Sequence, residues 1–150
     1  MIEYIKKDVT TVGMGIVAHG VNCQGKMASG VAKVIRKKWP QAYFEYVSSP
    51  VGKAMLGACR LVQVEDDESL WVANLYTQVF YGYGGGKYAS ADAIESALDH
   101  CGLCAEVYDL PIFMPRIGCG LGGLDWEKDV APVVEAASEK HRVDIFVCDL

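Results

Sequence analysis

Two stretches of this chain carry the residue types from which an anion site is made. His19-Gly20-Val21-Asn22-Cys23-Gln24-Gly25 runs on through Lys26-Met27-Ala28 to Ser29-Gly30, and Met114-Pro115-Arg116-Ile117 runs into Gly118-Cys119-Gly120-Leu121-Gly122-Gly123. Each reads as a buried strand, a glycine-rich turn and a following helix. Glycine lets a backbone approach a ligand closely and turn its N–H groups inward. The helix that follows adds free N–H donors and a partial positive charge, which together hold phosphate. Glycines also serve plain tight turns. Two such loops at strand ends in one small chain point to a nucleotide bearing a diphosphate, held between residues 25–30 and 118–123. The second loop also fits G-x-G-x-x-G through Gly118, Gly120 and Gly123, with Asp149 where a ribose-binding acid would stand. That fingerprint normally opens its domain, whereas here only one helix and one strand follow it, so the dinucleotide reading is set aside.

The elements that must position these loops are visible in the hydrophobic pattern. Ile2–Lys6 alternates and reads as a strand, followed by the turn-prone Asp8-Val9-Thr10. Residues 15–21 form an apolar run suited to a central strand. Gly30–Lys38 has helical spacing, with Val31, Val34 and Ile35 on one face and Ser29 as a candidate N-cap. Pro40 opens a second helix reaching Val47. Strands follow at 58–64 and 70–77 around an acidic turn, then a helix over 90–104 with Ala91, Ile94, Leu98 and Cys101 at core spacing. A strand over 112–117 feeds Gly118. A last helix over 126–140 contains Pro132, which kinks it or marks a late start, and a strand over 143–148 closes the set. Interleaved strands and helices predict an α/β fold, with a mixed, largely parallel sheet covered on both faces. Ligands in such sheets sit beyond the carboxyl ends of the strands.

Composition narrows the classes. The chain has 150 residues, a size suited to one domain, with 51% hydrophobic and 22% charged residues. No run approaches the roughly 18 apolar residues of a membrane span. Residues 1–8 lack an apolar signal core, so the expected location is cytoplasmic. The six cysteines lie in apolar or glycine-rich stretches and are expected reduced. A net charge of −5, with basic residues grouped at Lys33, Arg36, Lys37 and Lys38, argues against nucleic acid as a partner. Cys101-Gly102-Leu103-Cys104 has redox spacing but ends a helix, and no second pair accompanies it to hold zinc. No metal and no cofactor is expected.

Taken together these motifs resemble the macro domain family. The resemblance rests on Tyr4-Ile5-Lys6-Lys7-Asp8-Val9, on Ile16-Val17-Ala18-His19-Gly20-Val21-Asn22-Cys23-Gln24-Gly25, on Ser29-Gly30-Val31-Ala32-Lys33, and on residues 114–121 followed by Trp126. It covers the chain from first strand to last and implies a three-layer α/β/α fold that binds ADP-ribose. By position it implies that Asp8 accepts from the adenine amino group beside the Val9 amide, and that Asn22 bonds a hydroxyl of the distal ribose. Gly25 lies in the first loop. The amides of Ser29, Gly30 and Val31 would grip one phosphate. Those of Gly118, Cys119, Gly120, Leu121 and Gly122 would take the other phosphate and the distal ribose. The alternatives are that Asp8 is a turn cap and that Asn22 orders its loop through an Asx turn.

The same resemblance separates hydrolytic branches. The Gly-Gly-Val-Asp of the branch acting on acidic side chains is replaced by Ser29-Gly30-Val31-Ala32, and the lysine and aspartate of another branch by Gln78 and Gly122. The pattern is closest to the branch that removes phosphate from ADP-ribose 1″-phosphate, which shares His19 ahead of Asn22-Cys23. His19 and Asn22 are therefore the candidate catalytic residues, His19 through proton transfer or, alternatively, merely packed in the sheet. Ser90 or Asp92, and Asp125, suit helix caps, although Asp92 could approach the ribose end. Phe80-Tyr81-Gly82-Tyr83 and the glycines after it suggest a flap or an exposed connector. Alternatives to the phosphatase are a non-catalytic ADP-ribose reader and a hydrolase of ADP-ribosyl or O-acetyl-ADP-ribose esters. ADP-ribosylated protein is a further candidate partner.

Overall fold

The computed structural model describes residues 1–27, 30–64, 68–80, 88–120 and 122–150. The expectations placed on Ser29, Leu121, most of the acidic turn and the segment 81–87 lie outside these residues. Among the described residues a six-stranded sheet runs in the order β1-β6-β5-β2-β4-β3, from β1 (Ile2–Lys6), β2 (Gly15–Asn22), β3 (Cys59–Gln63), β4 (Leu70–Gln78), β5 (Ile112–Met114) and β6 (Ile145–Asp149). All neighbours are parallel except the edge strand β3, which runs antiparallel to β4. The mixed, largely parallel sheet expected from the sequence is what forms.

Both faces are covered, as alternation along β2 shows. Ile16 and Ala18 pack under α3 (Ala91–Tyr108) and α4 (Ala131–His141), together with Ile94, Leu98, Cys101 and Val134. Val17 points the other way, into a cluster with Ile35 and Trp39 of the segment spanning α1 (Gly30–Lys38) and α2 (Pro40–Ser48). These are the three layers of an α/β/α fold. Among the described residues no helix is long and apolar enough to cross a membrane.

Local chemistry corrects several expected details. In α1 only Ile35 is buried, while Val31 and Val34 are exposed; the inward face runs through Ala32, Ile35 and Trp39, at the i, i+3 and i+4 spacing. Strand β5 stops at Met114, before Pro115, which has no N–H for a ladder. Helix α3 runs four residues past its expected end, with Ser90 as its N-cap accepting from the Ala93 amide. Ala91 there is only half-buried. Pro132 marks the late start: a wide turn over Trp126–Val130, capped by Asp125 accepting from Lys128 N at 2.9 Å, precedes α4. The six cysteines are free thiols. Gly102 has a packing role, since a Cβ there would lie 2.5 Å from the His141 ring.

Candidate functional site

The cleft of about 370 Å³ that opens at the carboxyl end of β2 brings the two glycine loops face to face. Its floor is the end of β2 and β4. Pairing runs Val21 to Tyr76 and then Asn22 to Gln78, so Thr77 is an extra residue on β4. Such a bulge bends the strand locally and increases its twist. Gly20 permits this, because a Cβ on it would stand 2.6 Å from Thr77 Oγ1. After the bulge the Cys23 amide donates to both Gln78 and Val79 carbonyls, and the chain leaves the sheet.

One wall starts at Asn22. Its Oδ1 accepts from the Gln24 amide at 3.0 Å, the Lys26 amide at 3.3 Å and the Tyr46 hydroxyl at 2.8 Å, while Nδ2 donates to Lys26 O at 2.7 Å. This is the Asx-type ordering of the loop. The Asn22 oxygen is thus fully used, and one Nδ2 hydrogen remains for another acceptor. Gly30, Val31 and Ala32, the first turn of α1, complete the wall, with N–H groups that have no intrahelical acceptor.

The opposite wall is built by backbone. Gly118 and Gly123 both have φ +80, a conformation open to glycine. Leu124 N donates to Gly118 O, Gly123 N to Gly120 O, and the Tyr88 and Ala89 amides to Gly122 O. The amides of Gly118, Gly120 and Gly122 have no acceptor among the described residues, and these glycines line the cleft. The Cys119 amide is spent on Arg116 O at 3.3 Å, and burial pushes its thiol up to about 11. Arg116 stands at the mouth of the cleft with Nε and Nη2 forked onto Asp149 at 2.9 and 3.1 Å, beside the rings of Tyr4 and Trp126. Asp149 is thus an ion-pair partner of Arg116, and its carboxyl is held below the usual range by that hydrogen bond.

His19 lies beside Asn74 in register, with Nε2 2.6 Å from Asn74 Oδ1. Asn74 Nδ2 donates to Ala42 O, which assigns Oδ1 as the acceptor and Nε2 as the protonated nitrogen. Nδ1 is a buried acceptor with no partner among the described residues. Burial lowers the ring pKa to about 4, against a smaller raising effect of the Asn74 bond. At neutral pH His19 is therefore uncharged and has no acidic proton to give, so of the two halves of a proton transfer only acceptance, at Nδ1, is open to it.

Of the expected site residues, His19, Asn22, Gly30, Val31, Gly118, Gly120 and Gly122 come together on this cleft. Asp8, Val9, Gly25 and Cys119 do not line it. Asp8 caps a short 3-10 turn, accepting from Thr10 N at 2.9 Å and Thr10 Oγ1 at 2.7 Å, and these bonds lower its pKa. Val9 is buried under α1 and α2. Asp92 lies in a second groove, between α3 and α4, and not at this one. Lys26, Thr77 and Arg116 also line the cleft and had drawn no role from the sequence. A glycine inside the apolar run of β2 was the available signal for Thr77, since it marks close approach of another chain segment.

Comparison with known proteins agrees with this geometry. The macro domain family profile matches residues 18–134. The ADP-ribose 1″-phosphate phosphatase of Meyerozyma guilliermondii is 28% identical over 97% of this chain and 97% of its own length. The DNA ADP-ribosyl glycohydrolase of Mycobacterium tuberculosis is 26% identical over 98% of this chain, but only 42% of that protein is matched. A macrodomain protein from Streptomyces coelicolor superposes with a TM-score of 0.81 at 27% identity, covering 100% of this chain and 99% of that one. With its glycine loops opposed across one cleft and the family profile spanning both, this chain belongs to the macro domain family.

Proposed function

We propose that this chain, acting as one cytoplasmic domain, binds ADP-ribose and hydrolyses ADP-ribose 1″-phosphate to ADP-ribose and phosphate. The observation that carries the reading is the pair of opposed donor sets, the first turn of α1 and the amides of Gly118, Gly120 and Gly122, across a single cleft. Two sets of neutral N–H donors suit the two phosphates of a diphosphate. The phosphatases among its relatives supply the reaction class. In that reaction water adds to phosphorus, the P–O bond to the sugar breaks, and the ribose oxygen leaves with a proton. Asn22 would orient the distal sugar through its remaining Nδ2 hydrogen, and His19 would accept a hydrogen bond at Nδ1. Ser29 and Leu121 would add amides to the two loops, with Asp8 and Val9 serving the adenine and Gly25 and Cys119 shaping the loops.

One observation favours a second reading, a reader of ADP-ribose or of ADP-ribosylated protein. No carboxylate lines the cleft among the described residues, and its histidine is neutral. Calorimetry with ADP-ribose, beside phosphate release from ADP-ribose 1″-phosphate, separates the two. Binding with release supports the phosphatase, binding without release leaves the reader, and no heat at millimolar ADP-ribose sinks both.

A further inference from the structure

We propose that Lys26 forms a third anion subsite in this cleft, one that takes a terminal phosphomonoester on the sugar. The inference rests on the ADP-ribose reading above and deepens it by assigning the group that recognises the substituent.

Charge accounting singles out this residue. The two donor sets that suit a diphosphate are neutral amides. A terminal monoester brings up to two further negative charges near neutral pH, with a second pKa of about 6, to a protein whose own net charge is −5. A nearby cation would favour it over the unsubstituted sugar. Lys26 and Arg116 are the cations lining the cleft among the described residues. Arg116 is occupied, with Nε and Nη2 both on Asp149. Lys26 forms no ion pair among the described residues.

Its placement is built. The Asn22 carboxamide clasps Lys26 at both backbone groups, donating to its carbonyl at 2.7 Å and accepting from its amide at 3.3 Å. Tyr46 in turn fixes Asn22, its hydroxyl 2.6 Å from the Asn22 carbonyl and 2.8 Å from Oδ1. The backbone of Lys26 is therefore held against the strand end while its side chain is exposed. Asn22 Nδ2 spends one hydrogen on the Lys26 carbonyl and has a second to offer. A lysine is suited to this task, since a compact ammonium pairs with phosphate as a point charge without demanding a planar fork.

The test compares equilibrium binding of ADP-ribose with that of an analogue in which a methylene replaces the 1″ ester oxygen of ADP-ribose 1″-phosphate. Wild type should bind the analogue about ten-fold more tightly, the scale of one charge-assisted contact. Lys26→Gln should remove that preference and leave ADP-ribose affinity unchanged, while Lys26→Arg keeps most of it. Lys37→Gln, on the exposed side of α1, should alter neither, which separates a local contact from general attraction. If Lys26→Gln weakens both ligands equally, or neither, the subsite is overturned. Phosphate release decides the other question. A wild type that prefers the analogue yet releases no phosphate keeps the subsite and removes the phosphatase. Turnover with the preference intact in Lys26→Gln does the reverse, and binding of neither ligand overturns both.

Discussion

On one wall of the cleft side chains hold the backbone, and on the other the backbone holds itself. Asn22 and Tyr46 wire the first loop through five hydrogen bonds of 2.6 to 3.3 Å. The second loop is closed by its own amides and carbonyls and by the amides of Tyr88 and Ala89. Its side of the bargain is space: Gly118 sits within 3.1 Å of Ile94 and Leu124 atoms if given a Cβ. A wall wired by side chains is broken by removing polar groups. A wall built of backbone is broken by adding a single methyl. The two halves of one site should therefore fail to opposite kinds of substitution.

Gly122→Ala should give the largest effect. A Cβ there would lie 2.6 Å from Gly118 O and 2.9 Å from the Ala89 Cβ, neither of which is the end of a flexible chain. The loop must open, at about 1–3 kcal/mol, and the amides lose their common focus. ADP-ribose binding measured by calorimetry should fall about a hundred-fold, roughly 3 kcal/mol. Gly120→Ala sharpens the point. It has open space within 4 Å, so its unfolding free energy should stay within about 0.5 kcal/mol of wild type. Equal destabilisation by the two alanines would break the account of this wall.

The floor between the walls titrates. His19 is held near pKa 4 by burial, below its unfolded value of about 6.5. Between these values the unfolded chain carries a proton that the folded one does not, so stability rises with pH across that window. Falling from pH 7 to below 4, His19 should remove about 3 kcal/mol of stability. Urea titrations of wild type and His19→Gln across this range measure it, and parallel curves for the two would refute the assignment. The same neutrality means that His19 contributes no inflection to a rate profile between pH 6 and 8.

Tyr46→Phe tests the first wall more gently than removing Asn22. It deletes one hydroxyl and leaves Asn22 Oδ1 with the Gln24 and Lys26 amides. Tyr46 is buried, and the loss should be about 1–2 kcal/mol in chemical denaturation. A matching loss of ADP-ribose affinity ties loop order to binding. Unchanged affinity would show that the first wall tolerates slack that the second does not.

Much of this was readable from local pattern. The bounds of α1, the late start imposed by Pro132 and the caps at Ser90 and Asp125 all follow from short-range chemistry, and each formed. The glycine loops were legible for the same reason, since each lies where a strand ends. What was not legible depends on neighbours distant in sequence. The neutrality of His19 comes from complete burial in the assembled fold, against the opposing pull of Asn74, 55 residues away. The exposure of Val31 and Val34 reflects a narrow packing seam, where Ile35 and Trp39 already fill the space over Val17 and Val72. The bulge at Thr77 arises from pairing between β2 and β4, which a single strand cannot announce. Lys26 drew no attention because a lysine between glycine and methionine looks like any solvated residue until Asn22 is seen to clasp it.

The smallest effect belongs to the Arg116 and Asp149 pair, which couples the second wall to the last strand. Both side chains are about 40% exposed, so the solvent screens them and an exposed pair of this kind is worth at most about 1 kcal/mol. Asp149→Asn should therefore barely change the unfolding free energy. Its effect should appear at the cleft, because it frees a guanidinium that lines the same space as Gly118. Freed from its carboxylate, Arg116 can turn toward an anion, and ADP-ribose should bind somewhat more tightly at low salt, with the gain fading as screening shortens. Arg116→Lys should lose that option, since an ammonium lacks the fork that reaches both partners. Calorimetry of the two variants at low and high salt measures the difference. If Asp149→Asn instead lowered affinity as far as Gly122→Ala does, the second wall would depend on side chains after all, and the contrast between the walls would fall.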